Sequence, residues 1–389
     1  MDWIETAQAE LRAQGLAGWL LYDFRGSNPV AKRFMGLGGL ITRRVFLLVP
    51  ARGTPTLLVH AIERRSLPDL PFEVVSYSSR SSLEAELAQL LPEGPVALEY
   101  SPRNDIPYLS FVDAGTVELL RDLGVEPVSS GDLLQVFSAW TNEQIAAHER
   151  AVAGVYRAKD EAISFISRRA SDGASANESE VQRVITRVLQ EAGLTFDHQA
   201  IVGFGPNSGD PHFVTPSQGG RRLQPGDPIL LDIFAKEADG DAPYADITWM
   251  GSYGPPSAKF LELFEIVRDA RDIGVRTMRE AYEAGRRPSG SDVDRKVRGH
   301  IAGKGYGEYF IHRTGHSLGT RSTHGDAVHL DDFETRDTRK LLPGIAVTVE
   351  PGVYLPEFGV RSEIDVLLEE AGPRITTDPQ RELTVIELS

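Results

Sequence analysis

The chain has no cysteine in 389 residues. That absence excludes a disulfide scaffold, a thiolate zinc site, an iron–sulfur cluster and a cysteine nucleophile. Any metal must therefore be held by oxygen and imidazole. Long apolar runs are missing as well. Stretches such as Val45 to Val49 fall far short of the ~20 residues that a membrane helix needs, so no membrane partner is expected. Positive charge is in deficit, with 41 Lys and Arg against 56 Asp and Glu and a net charge of −15. Such a surface repels phosphate backbones, and without a local basic patch nucleic acid is not an expected partner. The start, Met1-Asp-Trp-Ile-Glu5, lacks the basic and apolar segments of a secretory signal, and a cytoplasmic location is expected. What remains is ordinary for a soluble globular protein, 41% hydrophobic and 25% charged. At roughly 150 residues per domain, the length suits two or three domains.

The first ~135 residues alternate short β-rich runs with helical spacing. Gly18 to Tyr22, Val45 to Val49, Thr56 to His60, Glu73 to Tyr77 and Val96 to Tyr100 read as strands. A hairpin is expected through Pro50-Ala-Arg-Gly-Thr-Pro55, with helices near 5–15 and 82–91. This predicts an α/β domain over residues 1–138 with no chemistry of its own. At Thr141-Asn-Glu-Gln144 a capping box opens a long helix, and a second domain is expected over 139–389.

That second domain reads as a duplication. A long helix (141–170), a shorter one (177–192) and β-like sequence are followed by a long helix (256–284), a shorter one (291–302) and β-like sequence again. Arg221-Arg-Leu-Gln-Pro-Gly226 leading to Asp232 runs parallel to Arg339-Lys-Leu-Leu-Pro-Gly344 leading to Glu350, at a constant offset of 118 residues. A second acid follows each, Asp246 at 14 residues and Glu363 at 13. Two related halves would bring two carboxylate pairs to one place, giving an α+β fold with internal pseudo-twofold symmetry.

Asp232 and Glu350 sit inside apolar runs, where a carboxylate is costly unless paired or bound to metal. Strand alternation puts Asp246 with Thr248, and Arg361 with Glu363. Each acid alone is explained as well by a salt bridge or a turn; four on strands related by a repeat point to a metal centre. Five of the nine histidines fall between His300 and His329. The spacing His312-Arg-Thr-Gly-His316 is a weak zinc cue, but Gly315 and Gly319 argue for strand or loop, and the glutamate of a His-Glu-x-x-His helix is absent. Four carboxylates and an imidazole suit manganese, cobalt, iron or zinc. Their charge matches two divalent cations sharing a bridging hydroxide of lowered pKa.

Asp232, Asp246, His316, Glu350 and Glu363, in that order, resemble the ligand set of the pita-bread metallopeptidases, the group of methionine aminopeptidase, prolidase and aminopeptidase P. Tyr244-Ala-Asp-Ile-Thr248, Thr314-Gly-His-Ser-Leu-Gly319, Leu342-Pro-Gly344, Thr348-Val-Glu-Pro-Gly352 and Gly359-Val-Arg-Ser-Glu363 carry the resemblance. It spans most of residues 141–389. An N-terminal α/β domain is similar to that of prolidases and aminopeptidases P and is missing from simple methionine aminopeptidases. Creatinase shares the architecture without the metal ligands. The chain departs from the family in its longer Asp232–Asp246 interval, with Glu237-Ala-Asp-Gly-Asp-Ala242 inserted, and in the residues flanking Glu363. The stretch from His316 to His324 is one residue longer than usual.

The resemblance implies two divalent ions per chain, manganese ahead of cobalt, zinc or iron, and a homodimer. It implies that Glu350 is ligand and proton carrier, that His212 supports the tetrahedral intermediate, and that His312 and His324 contact substrate. Arg361 is expected beside the ligands or facing substrate. Arg336 or Arg339 is the expected clamp for a substrate carboxylate, although both also read as a solvated basic cluster beside Asp337. The activity implied is hydrolysis of the Xaa-Pro imide bond of a small peptide, by an Xaa-Pro dipeptidase. The alternatives are an Xaa-Pro aminopeptidase acting on longer peptides and, more distantly, a non-catalytic peptide-binding homologue. His60, His148, His198 and His300 are expected in surface or packing roles.

Overall fold

A computed structural model describes residues 3–37 and 41–388. The chain divides into two compact units between Phe137 and Ser138. In the first, six strands lie in the order Glu73–Tyr77, Thr56–His60, Arg44–Pro50, Gly18–Phe24, Pro95–Leu98 and Glu126–Ser129. The expected hairpin pairs Phe46 with Leu58 and Leu48 with Thr56. Alternate residues of the near-continuous apolar strands feed two cores. Trp19, Leu21, Val45 and Leu47 enter one, and Leu20, Tyr22, Phe46 and Leu48 enter the other, as a sheet covered on both faces requires. The helices Trp3–Ala13 and Arg80–Leu90 fall where helical spacing placed them. The helices Pro29–Met35 and Ala114–Asp122 and the strand Glu126–Ser129 do not announce themselves in the sequence.

The second unit is α+β and duplicated. Its long and short helices are Asn142–Ser171 with Glu178–Glu191 in the first half, and Ala258–Glu283 with Gly290–Gly303 in the second. The Thr141–Gln144 capping box forms as expected. Equivalent boxes start both short helices, Asn177 with Glu180 and Ser289 with Asp292. The repeated segments take equivalent places in the two halves. Arg222 bridges to Asn177 and Lys340 to Ser289, so each half ties the segment before its Pro-Gly turn to the N-cap of its own short helix. Each half then has its own apolar core, one around Val155, Ile185 and Leu231 and one around Val267, Val297 and Val347.

The strands that follow carry or flank the acids. The strand Pro228–Glu237 lies antiparallel to Ala245–Tyr253, with Asp232 opposite Thr248. In the second half Ala346–Val349 pairs with Ile364–Glu369, and Gly352–Tyr354 with Gly359–Arg361. No helix among the described residues is long and apolar enough to cross a membrane.

Candidate metal centre

Directly opposed residues of an antiparallel pair share a face, so the register that sets Asp232 against Thr248 and Asp246 against Phe234 puts both aspartates on one side of the sheet. In the second half, one ladder ends at Val349 opposite Ile364 and the next begins at Gly352 opposite Arg361. Glu350 and Glu363 occupy the break between the two ladders, where their side chains are free of strict alternation. The segment bearing His316 is laid alongside by backbone bonds from Thr348 N to His316 O (2.8 Å) and Glu350 N to Thr314 O (2.7 Å). This approach needs glycine at 315, since a Cβ there would stand 2.1 Å from the Thr348 carbonyl oxygen. His312 to His316 is therefore not helical, as its glycines suggested.

Donor atoms of Asp246, His316 and Glu363, all buried, lie within 4.8 Å of one another. His316 Nδ1 is 3.0 Å from the Ser317 carbonyl oxygen. A carbonyl only accepts, so Nδ1 carries the proton and Nε2 presents a lone pair. That lone pair stands 3.6 Å from Asp246 Oδ2 and 3.6 Å from Glu350 Oε1, too far for hydrogen bonds. Lone pair facing carboxylate is repulsive unless a proton or a metal cation lies between them. Asp246 Oδ1 is buried without a hydrogen-bond partner among the described residues. The donor set thus fits divalent metal ions in chemistry and in unmet demand.

Surrounding groups orient the acids. Thr248 Oγ1 donates to Glu363 Oε2 (2.7 Å), and Thr348 Oγ1 to Glu350 Oε1 (3.3 Å), one threonine from each half. Asp365 Oδ2 accepts from the Asp246 backbone N–H at 2.9 Å. Arg361 binds Asp232 Oδ2 through Nη2 at 2.5 Å and Thr248 Oγ1 through Nε at 2.9 Å. Burial raises the pKa of Asp246 well above the carboxylate range, and repulsion from Glu363 and Asp232 adds to it. Glu363 is raised by burial and then by Glu350 and Asp232. Glu350 is pushed up to about 7 by burial, against the opposing pull of Arg361. Burial also raises Asp232, with Arg361 pulling it back down. Without a cation the cluster would hold protons; with one, the carboxylates can ionise together.

His312 is locked beside this cluster. Its Nδ1–H donates to the Arg313 carbonyl (2.7 Å), so Nε2 accepts the Tyr354 hydroxyl proton at 2.8 Å. Burial brings His312 down to about 3, leaving it neutral at physiological pH. The His324 ring packs on that of His316 with centroids 4.1 Å apart. His212 lies on an exposed turn, its backbone N–H bonded to Asp210 Oδ1. The expectation for Arg339 is corrected. Its guanidinium is 3% exposed, donates Nη2 to Asp337 Oδ2 at 2.6 Å and Nη1 to the Asp326 carbonyl at 2.9 Å, and so neutralises a buried aspartate instead of facing a substrate. Arg336 is exposed. Tyr354 and Asp365 were not singled out from the sequence. Asp365 stands two residues beyond Glu363, which strand alternation hints at; nothing in spacing marks Tyr354.

The model of metallopeptidase family M24 matches residues 146–370. The chain belongs to metallopeptidase family M24. Across this M24 chain, 226 residues are 35% identical to uncharacterized peptidase YqhT of Bacillus subtilis, a match covering 58% of this chain and 58% of that protein's length. Over 355 residues it is 27% identical to probable dipeptidase PepE of Mycobacterium bovis, covering 89% of this chain and 87% of the relative. Among solved structures, dipeptidase PepE from Mycobacterium ulcerans is similar with TM-score 0.66 and 26% identity, over 99% of this chain and 97% of that one. The Xaa-Pro dipeptidase from Bacillus anthracis is similar with TM-score 0.59 and 25% identity, over 99% of both chains. The fold is the duplicated pita-bread fold of these proteins.

Proposed function

We propose that this M24 protein is a dinuclear metal-dependent peptidase that hydrolyses the Xaa-Pro bond of dipeptides. The observation that carries the metal dependence is the His316 Nε2 lone pair facing Asp246 and Glu350 at 3.6 Å. The similarity to PepE proteins and to an Xaa-Pro dipeptidase over nearly the whole chain supports the dipeptide substrate. Asp232, Asp246, His316, Glu350 and Glu363 would hold two divalent ions, manganese ahead of cobalt, zinc or iron. Bound there, such ions polarise a carbonyl oxygen and lower the pKa of water.

The substrate's imide nitrogen carries no hydrogen and lies in a ring, so its departure needs a delivered proton. Glu350, oriented by the Thr348 hydroxyl, is the residue to take a proton from the attacking water and pass it to that nitrogen. His212 supports the developing oxyanion. Neutral His312 and His324 flank the substrate, and the Tyr354 hydroxyl fixes the His312 ring. Arg361 balances the charge of Asp232. Residues 1–138 serve as the N-terminal domain of the prolidase type, and the active form is a cytoplasmic homodimer.

One observation favours a second reading. Arg339 is spent on Asp337, which leaves Arg336 as the remaining sequence-derived anchor for a dipeptide's carboxylate and gives weight to an aminopeptidase that accepts longer Xaa-Pro peptides. Rates on Ala-Pro and on a longer peptide beginning Ala-Pro, across manganese, cobalt, zinc and iron on metal-stripped protein, decide between them. A strong preference for Ala-Pro supports the dipeptidase; a strong preference for the longer peptide overturns it.

A further inference from the structure

Lys236 lies on the strand that carries Asp232 and is 8% exposed, with the charges of Asp241, Asp239 and Asp197 acting on it from a distance. Its ammonium donates instead to backbone carbonyls of two separate loops. Nζ is 3.0 Å from the Gly240 oxygen, 3.5 Å from that of Asp239 and 2.5 Å from that of Thr320. An ammonium has three hydrogens and no acceptor, so three carbonyls account for its donors and fix its direction. Burying an ammonium is costly unless its hydrogen bonds are met, and here they are met only while both loops hold their positions.

The two loops matter because of what they join. Residues 238–244 connect the strands bearing Asp232 and Asp246. Residues 319–323 connect His316 to His324. Tyr244 N donates to the Gly319 carbonyl at 3.0 Å, and Gly319 N to the Thr323 carbonyl at 3.1 Å. Asp197 holds Thr323 from the other side through its N–H (3.1 Å) and hydroxyl (3.0 Å). Leu318 bridges to His324, whose ring packs on His316. The two loops are thus tied to each other at one ammonium.

We propose that Lys236 is a positioning residue: by bridging the carbonyls of Gly240 and Thr320 it holds the 319–324 loop so that His324 stays packed on His316. This rests on the reading of His324 as a substrate contact. Lys236 touches neither substrate nor metal; its effect passes through the loop. A methionine matches its length without donors, while arginine keeps donors in a different geometry.

The test is a double-mutant cycle on the metal-loaded full chain, with Lys236→Met, Lys236→Arg, His324→Ala and the Lys236→Met/His324→Ala pair. Lys236→Met is expected to lower kcat/KM at least tenfold at unchanged metal content, with part of the loss restored in Lys236→Arg. In the His324→Ala background, Lys236→Met should cost less than twofold, since the loop no longer presents an imidazole. An equal cost in both backgrounds, or none in the wild type, overturns the proposal. A second readout does not depend on activity: the imidazole NMR signals of the zinc-loaded protein, with His324 assigned by its loss in His324→Ala. Its signals should shift in Lys236→Met even if no Xaa-Pro peptide is cleaved, in which case the substrate reading fails and the positioning claim stands. Unshifted His324 signals overturn the positioning claim whatever the activity.

Discussion

Arg361 Nη2 donates to Asp232 Oδ2 at 2.5 Å, a buried ion pair between residues 129 positions apart in sequence. It gives one of the four clustered carboxylates a cationic partner inside the protein. Removing one member of a buried pair leaves an uncompensated charge and costs about 3–5 kcal/mol. Arg361→Met should therefore lower the stability of the metal-stripped protein by up to about 3 kcal/mol, and by less where Asp232 takes up a proton, read from urea unfolding. Lys in its place should recover part of this, because it lacks the fork that also reaches Thr248. An unchanged midpoint in Arg361→Met would show that the pair does not stabilise the metal-free state.

Glu350 is assigned the proton transfer. Glu350→Gln keeps an oxygen for metal but cannot carry a proton, so kcat should fall by about 100-fold or more, with a smaller change in KM. Steady-state kinetics at fixed metal occupancy measures this. Full activity in the variant removes the assigned role.

The Tyr354 hydroxyl donates to His312 Nε2 and lies 3.4 Å from Arg361 Nη1 as an acceptor. Tyr354→Phe removes both bonds and keeps the ring. About a tenfold loss in kcat/KM is expected with unaltered metal content, in line with the effect of losing an outer partner of a site residue. Loss of metal in this variant would place the tyrosine's role in the metal cluster instead of at His312.

The N-terminal unit holds its own pH-dependent group. Glu99 is fully buried and accepts from Trp19 Nε1 (2.7 Å), Asn28 Nδ2 (2.9 Å) and Ser130 Oγ (3.2 Å). Burial outweighs these bonds and pushes its carboxyl to about 7 from an ordinary 4.5. An acid with a raised native pKa binds its proton more tightly when folded, so its stabilising contribution is complete below about 4.5 and lost as pH rises through about 7. The shift corresponds to about 3 kcal/mol. Between pH 4.5 and 8 wild type should lose about that much more stability than Glu99→Gln, by urea unfolding followed on tryptophan fluorescence. The glutamine variant also turns an amide N–H₂ toward a donor, an offset that does not vary with pH. Parallel pH profiles would contradict the assignment.

Much of this was legible in the sequence because the relevant signals are local. The 118-residue offset reflects a real structural repeat, since Arg222 and Lys340 each pair with the N-cap of a short helix. Asp246 and Thr248 share a face by alternation, and the glycines around His316 correctly pointed away from a helix. Arg339 was misread because the sequence does not reveal that its neighbour Asp337 is buried and needs the guanidinium itself. Arg361 was placed near the ligands, but its partner Asp232 is far away in sequence and belongs to the other half. Tyr354 gave no signal, because its contact with His312 depends on how two segments from distant positions come together. Lys236 was hidden for the same reason: its partners are backbone carbonyls, which every residue has.

In the proposed function Asp232, Asp246, His316, Glu350 and Glu363 together hold two divalent ions. The most direct measurement is the metal content per chain, by elemental mass spectrometry, of wild type and Asp246→Asn after stripping and reconstitution. Two ions are expected in the wild type and at most one in Asp246→Asn. Two ions retained in the variant, or none bound by the wild type, would contradict that reading.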